Sequence, residues 1–204
     1  KYIRVISFLL MVFIVMVMGS GCWNYREIDK LTIVTGAAID KNEATGKYVI
    51  TVEALDIKPG GQDVETTTRL LSSEEQTIFH ARRDLAKQTG ERLYWSHAET
   101  VIISRSLAEE GILPIIDFLA RDQETRFSMF LYVSDRKMAK DVFQAKDVPS
   151  ENVSYFLADL KGIKNTIPEY PTATIKRFAM DVNEEGVEPL VPVVCTIENN
   201  GENI

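Results

Sequence analysis

The chain has 204 residues, with 23 basic and 30 acidic side chains, a formal net charge of −7 at pH 7 and only two cysteines. This acidic balance argues against a nucleic-acid partner, because phosphate binding requires a basic surface. It also argues against an electrostatic attachment to anionic lipids, so membrane contact would need another source. The length suits one good core or two small ones.

The N-terminus has the three parts of a secretory signal. Lys1 and Arg4 form a short basic head, Val5–Met18 is an apolar core, and small residues follow. The core is shorter than the roughly 20 apolar residues of a membrane-spanning helix. We therefore predict a signal peptide over residues 1–21, with a retained signal anchor as the alternative. Removal of Lys1 and Arg4 would change the net charge from −7 to −9.

Small residues followed by Cys22 resemble the lipobox of bacterial lipoproteins, in which the thiol is diacylated and the signal is cleaved before the cysteine. Gly19 stands where that family prefers Leu. The resemblance implies a covalent lipid on Cys22 and a tethered domain over residues 22–204. The alternative is a disulfide between Cys22 and Cys195. If Cys22 is lipidated, we expect Cys195 to be buried within Leu190–Ile197.

The first predicted elements are two runs rich in β-branched residues, Leu31–Ile39 and Tyr48–Ile57. A polar stretch joins them, so the pair predicts a β-hairpin. Lys58–Thr68 predicts a polar loop. Within and beyond that loop, Glu65–Leu71 has the β character of an exposed edge or a flap.

A helix is predicted next, because Ser73–Gln76 has the form of a capping box. It should run to about Thr89 and stop at Gly90. Its expected apolar stripe is Ile78, Ala81 and Leu85. The side chains expected to face water are Arg82, Arg83, Asp84 and Lys87.

The rest of the chain mixes helices and strands. The predicted strands are Glu99–Ser104, Arg126–Ser134 and Glu188–Glu198, the last with two prolines that favour a sheet edge. The predicted helices are Leu107–Glu110, Leu113–Arg121 with Pro114 in its first turn, Lys137–Gln144, Asn152–Leu160 and Tyr170–Asn183. This order predicts an α+β fold, with several helices packed on a mixed or antiparallel sheet.

One charged segment is the strongest candidate for a specific role. It contains Arg121, Asp122, Glu124 and Arg126. One interpretation is a salt-bridged loop that sets the angle between a helix and the next strand. The other is a docking patch for a partner, where paired charges give specificity. The same alternatives apply to Trp95 and His97, which precede a predicted strand.

Catalytic signatures are missing from the sequence. No GxSxG elbow, phosphate-binding loop, dinucleotide fingerprint or HExxH motif occurs. His80 and His97 have no cysteine at metal-binding spacing beside them. We therefore expect no catalytic residue, no metal and no cofactor beyond the covalent lipid on Cys22.

Eight segments, in chain order, carry a resemblance to one family. They are Cys22–Ile28 (CWNYREI), Leu31–Asp40 (LTIVTGAAID), Ala81–Arg83, Leu93–Glu99 (LYWSHAE), Val101–Ser104, Leu107–Ile112, Asp117–Arg126 (DFLARDQETR) and Pro189–Ile197. Together they resemble the mature C subunit of spore germinant receptors, the Ger(x)C family. Each segment alone is weakly specific, but the series is fairly specific.

The resemblance implies a lipoprotein on the outer face of the spore inner membrane. It would work with the integral membrane A and B subunits of a nutrient germinant receptor, without enzymatic activity. Family members have further domains, so we expect residues 22–204 to be an N-terminal domain followed by more sequence. Two other functions stay open: a solute-binding lipoprotein of a transporter, with a ligand cleft between two lobes, and a tethered hydrolase.

Overall fold

The computed structural model describes most of the chain. The described residues are 1–19, 31–60, 63–145, 148, 150–163 and 171–195. Helix α1, Tyr2–Gly19, comes first, and the side chains of residues 1–16 are exposed. Of the helices within these ranges, none combines the length and apolarity that crossing a bilayer demands. The predicted cleavage point and Cys22 lie outside the described residues, so the signal peptide and the lipid remain predictions.

A mixed sheet of seven strands, counted over the described residues, forms the centre of the fold. The strands are β1 Leu31–Lys41, β2 Tyr48–Gly60, β3 Asp63–Glu75, β4 Arg92–Tyr94, β5 Thr100–Ser104, β6 Phe130–Ser134 and β7 Val193–Val194. Their spatial order is β3-β2-β1-β5-β6-β7, with β4 paired beside the start of β1. β1, β2 and β3 are antiparallel neighbours, whereas β1, β5, β6 and β7 are parallel.

Helical elements cover both faces of this sheet. They are α2 Ile78–Thr89, α3 Arg105–Glu110, α4 Leu113–Arg121, α5 Val153–Ile163, α6 Ile175–Asn183 and two 3₁₀ segments, Trp95–His97 and Ala139–Gln144. On the first face, α2, α4 and α6 bury their apolar stripes against Ala37 and Ile39 of β1. On the second face, α5 and the 3₁₀ helix Ala139–Gln144 pack on Ala38. Because side chains alternate along a strand, β1 contributes to both cores. The predicted α+β fold with a mixed sheet is confirmed.

The predicted loop Lys58–Thr68 is wrong, although the hairpin before it is confirmed. β2 and β3 pair without interruption from Tyr48 opposite Glu75 to Gly60 opposite Asp63. The polar sequence forms a strand here because β3 lies at the sheet edge, where one face can be hydrated. Threonine also favours strands, which agrees with the predicted β character of Glu65–Leu71.

The predicted capping box at Ser73–Gln76 is also wrong. Ser73 belongs to β3 and is paired with Ile50. The N-cap of α2 is Thr77, whose extended backbone lets its hydroxyl accept a hydrogen bond from His80 N at 3.2 Å. The predicted stop at Gly90 is confirmed, since its φ of 66° is a left-handed cap.

Several elements are shorter than predicted. The strand predicted over Arg126–Ser134 begins only at Phe130, and the helix predicted from Tyr170 begins at Ile175, after its N-cap Thr174. The segment predicted as a helix over Lys137–Gln144 is a 3₁₀ helix that starts at Ala139. The 3₁₀ helix starts where Asp40 accepts from Ala139 N and Lys140 N, a tertiary contact, whereas α6 starts after its local N-cap, Thr174.

The C-terminal strand lies at the sheet edge, as its prolines indicated, but it is only Val193–Val194. Cys195 follows this short strand and is exposed, so its predicted burial is wrong. A hydrogen bond to Asp135 raises the pKa of the Cys195 thiol. An edge strand of two residues does not bury the side chain that follows it.

Candidate docking surface

Arg82 is the centre of a charged cluster on the first face of the sheet. Its Nη2 donates to Glu124 Oε2 at 2.8 Å, and its Nη1 donates to Asp122 Oδ2. Arg92 Nη2 donates to Glu124 Oε1. The Arg82 guanidinium carbon lies 4.6 Å from the centre of the buried Trp95 ring, a cation–π distance. We call these five residues the Arg82 cluster.

The Arg82 side chain is only 12% exposed, so the prediction that it faces water is wrong. Arg82 lies four residues after Ile78 and three before Leu85, on the border of the buried stripe of α2. Its aliphatic stem is therefore covered, while its charged head reaches two carboxylates. Burial lowers the pKa of Arg82, while Glu124 opposes the shift, and arginine stays charged at any physiological pH.

The loop after α4 positions the two carboxylates. Asp122 is the C-cap of α4, and its Oδ1 accepts from Glu124 N at 2.8 Å. The Ser96 hydroxyl donates to Glu124 O at 3.3 Å, which attaches the loop to the 3₁₀ segment Trp95–His97. The cluster thereby joins α2, β4, the 3₁₀ segment and the end of α4. It fixes the relative positions of these elements, whereas the salt-bridge interpretation concerned the angle between a helix and the next strand.

A shallow groove of about 480 Å³ lies beside the Arg82 cluster. Besides the cluster, its walls are Phe79, Arg83, Ala86, Leu93, Arg121 and Gln123. Phe79 is 50% exposed, and the Arg83 guanidinium lies 5.5 Å from the centre of its ring. We call this region the α2–α4 groove. It presents an exposed aromatic ring flanked by arginines, the residue types that dominate binding energy at protein interfaces.

The structure divides the four predicted docking residues among separate contacts. Asp122 and Glu124 join the Arg82 cluster. Arg121 instead pairs with Asp117, one turn earlier in α4, and its side chain is 79% exposed. Arg126 pairs with Glu99 at 3.3 Å.

Sequence reasoning missed the cationic members of the cluster, Arg82 and Arg92, whereas it considered Trp95 as a packing or docking residue. Arg82 carried a usable signal, because its i+4 and i−3 spacing to Ile78 and Leu85 places it beside the apolar stripe. Arg92 carried none, since it pairs with Glu124 from 32 residues away. His97, the other aromatic considered with Trp95, is exposed and contacts Tyr94 with ring centres 5.4 Å apart.

The second face of the sheet holds a buried polar cluster around Glu53. The Glu53 carboxylate accepts hydrogen bonds from Val153 N at 2.9 Å and Ser154 N at 2.8 Å, at the start of α5. Thr35, the extra residue of a β-bulge in β1, places its hydroxyl 3.3 Å from Glu53 Oε2. Asn152 Nδ2 donates to that hydroxyl at 2.8 Å. A negative charge at a helix N-terminus is stabilising, so Glu53 holds α5 against the sheet.

Asp40 holds the neighbouring 3₁₀ helix against the sheet, as Glu53 holds α5. Its fully buried carboxylate accepts from Ala139 N at 2.5 Å and Lys140 N at 3.2 Å. Burial raises the pKa of Asp40, and the two backbone hydrogen bonds only partly oppose the shift. Two strand carboxylates therefore attach the two helical elements of the second face.

A metal-binding site would need several ligating side chains close together within the described residues. Nowhere in those ranges do three His, Cys, Asp or Glu side chains converge in a way that could hold a metal. An open cleft of about 580 Å³ lies beside the β1–β2 turn, between the Lys41–Ala44 segment and the Lys137–Lys140 segment. It is a surface depression on one sheet, unlike the cleft between two lobes that a solute-binding protein would need.

Comparison with known proteins defines the class of this domain. Residues 24–195 match the family model described as the spore germination protein N-terminal domain. The chain therefore belongs to that family, which confirms its resemblance to the Ger(x)C proteins. No solved structure matched the chain.

Its relatives come from Bacillus subtilis (strain 168). The chain is 26% identical over 191 residues to YfkR, by inference a spore germination protein, with 89% of this chain and 47% of YfkR covered. It is 28% identical over 146 residues to spore germination protein KC, covering 66% and 36% of the two chains. It is 26% identical over 159 residues to spore germination protein A3, covering 74% and 42%. The chain spans less than half the length of each relative. These names support a role related to germination.

Proposed function

We propose that this chain is the N-terminal part of a lipid-anchored, non-catalytic subunit of a nutrient germinant receptor. The observation that carries the proposal is the family match over residues 24–195, combined with relatives that are spore germination proteins. The anchor would be a lipid on Cys22, in the outer leaflet of the spore inner membrane. The chain's acidity supports this form of attachment, because a covalent lipid needs no basic surface.

The α2–α4 groove is the proposed contact with the integral membrane A and B subunits. Its arginines and the exposed Phe79 ring supply the residue types of interface hot spots. The Arg82 cluster beneath the groove fixes the elements that carry them, so the groove is held in one shape before a partner arrives. A lipid anchor would add to weak docking by raising the local concentration of the partners.

Germination of complemented spores tests the anchor. Spores that lack the gene receive the full-length wild type or the Cys22→Ala variant, and their response to nutrients is measured. We expect the null to lose the response to at least one nutrient, and Cys22→Ala to restore it poorly. If the null germinates normally in response to every nutrient, in a strain without other receptors, the proposed receptor role is contradicted. Full restoration by Cys22→Ala would contradict the proposal that a lipid on Cys22 is needed.

Copurification of the membrane subunits with the full-length protein tests the groove. Phe79→Ala is compared with Phe127→Ala, because the two rings are 50% and 49% exposed and only Phe79 lines the groove. We expect Phe79→Ala to reduce recovery of the membrane subunits about tenfold, the size of a hot-spot truncation, and Phe127→Ala to leave it unchanged. Equal recovery with both variants would place the docking surface elsewhere.

A further inference from the structure

β3 forms one edge of the sheet along its whole length. Every one of its 13 residues, Asp63–Glu75, lies opposite a residue of β2. The other side of β3 has no neighbouring strand in the part of the chain that the structure describes. An edge of this length is a template for another strand.

One hydrogen bond identifies which backbone groups of β3 point outward. The Gln88 side-chain amide donates to Ser72 O at 3.2 Å, so this carbonyl does not point to β2. Outward and inward groups alternate along a strand, so Leu70, Thr68 and Thr66 share the direction of Ser72. Gln88 bonds only to Ser72. Across the described ranges, the outward backbone groups of Thr66, Thr68 and Leu70 have no hydrogen-bond partner.

The sequence of β3 lacks two of the features that usually block an exposed edge, proline and lysine. DVETTTRLLSSEE contains no proline and no lysine, and its threonines and leucines favour the extended conformation. Leu70 is 37% exposed on the face away from α2. An unblocked edge with an exposed apolar residue is suited to strand addition.

Charge decides which strand fits. β3 contains four acidic residues and one basic residue, Arg69. Arg69 already lies 3.1 Å from Asp56 and 3.8 Å from Glu91, so its charge is used within the domain. A second copy of β3, paired antiparallel along its full length, would place Asp63 of each copy opposite Glu75 of the other. Like charges directly opposite each other are destabilising, which disfavours self-association and favours a basic strand.

From these observations we propose that the outer edge of β3 binds an extended, basic segment of another polypeptide by β-strand addition. The backbone groups of Thr66, Thr68 and Leu70 form the new ladder, and the net acidic sequence of β3 favours a basic partner. This interaction is separate from the α2–α4 groove and does not depend on the germination role.

Photo-crosslinking of the full-length protein in the membranes of its own cells tests the proposal. A benzophenone amino acid replaces Leu70, and the crosslinked peptide is identified by mass spectrometry. We expect attachment to a different polypeptide, within a segment rich in Lys or Arg. Attachment to the same chain, attachment to a second copy, or no product would overturn the proposal.

Two matched pairs of variants give the mechanism its own test. Thr68→Pro removes one outward N–H, which an edge strand tolerates, whereas Thr68→Val keeps it. Thr66→Lys and Thr66→Glu place opposite charges at one exposed position. We expect Thr68→Pro and Thr66→Lys to lower the crosslink yield about fivefold, consistent with one lost hydrogen bond or one new like-charge contact. Their matched controls, Thr68→Val and Thr66→Glu, should retain the yield. Equal yields within the Thr66 pair overturn the proposal even where Thr68→Pro fails to fold.

Discussion

The two faces of the sheet both hold charged side chains, but in different surroundings. On the second face, Glu53 is 1% exposed, and the backbone amides of α5 satisfy its carboxylate. On the first face, the Arg82 cluster opens to solvent through Glu124, which is 36% exposed, and Arg92, which is 46% exposed. The second face uses a charge to join two elements of one domain. The first face uses charges that a partner can still reach.

This difference indicates how to separate stability from docking. A change at Glu53 leaves buried amides without an acceptor, so its cost appears in the free energy of unfolding. A change at the exposed rim of the α2–α4 groove leaves the fold intact, so its cost appears only in binding. Changes at Arg82 should show both effects, because its stem is buried and its head is part of the cluster.

Glu53→Ala should have the largest effect, because the backbone amides of Val153 and Ser154 lose their acceptor inside the fold. We expect a loss of about 3–5 kcal/mol in the free energy of unfolding, measured by urea denaturation of the purified protein. Glu43→Ala is the control, since the Glu43 side chain is 70% exposed. Similar losses for both variants would contradict a special role for the buried carboxylate.

Gly36→Ala should have the next largest effect. A Cβ at Gly36 would lie 2.1 Å from Ser154 Oγ and 2.6 Å from Thr100 Oγ1, too close for any real contact. The start of α5 would have to move from the sheet, and we expect a loss of about 3 kcal/mol in the free energy of unfolding. Gly36→Ala combined with Ser154→Gly should recover part of it. No recovery would show that the contact with Thr100, rather than the contact with α5, causes the loss.

Arg82→Met should lower the free energy of unfolding by about 1–2 kcal/mol, because Asp122 and Glu124 lose their shared cation. The loss stays moderate because Arg92 and solvent still screen the charge of Glu124. Unlike Glu53→Ala, it should also lower the recovery of membrane subunits in copurification. Arg121→Ala is the control for stability, because its side chain is 79% exposed and should change unfolding by less than about 0.5 kcal/mol. Normal recovery of the membrane subunits with Arg82→Met would show that docking does not need the Arg82 cluster.

The sequence predicted those elements whose patterns are strong and local. Leu31–Ile39 and Tyr48–Ile57 formed the expected hairpin, and the stripe of Ile78, Ala81 and Leu85 formed the buried side of α2. Only the Glu65–Leu71 part of β3 was recognised, because a polar edge strand has only one covered face and therefore lacks a strong apolar signal. The helix start was misplaced because Ser73 pairs with a strand residue 23 positions away.

Less of the candidate site was predictable. Asp122 and Glu124 were chosen as members of a charged segment, and both belong to the Arg82 cluster. Their cation lies 40 residues before Asp122, so the pairing depends on how α2 and α4 pack and not on spacing. The buried position of Glu53 was equally hidden, because a charged residue in a strand ordinarily indicates a solvent-facing position.

Asp40→Asn should have the smallest effect and one that depends on pH. The folded protein favours the protonated form of Asp40, because burial raises its pKa above the unfolded value. Asp40 therefore contributes stability below the unfolded pKa, and this contribution is lost as pH rises through the folded pKa. The wild type should lose stability relative to Asp40→Asn over that window, as measured by urea denaturation at each pH. Parallel pH profiles for the two proteins would show that Asp40 is ionised with equal ease in the folded and unfolded chains.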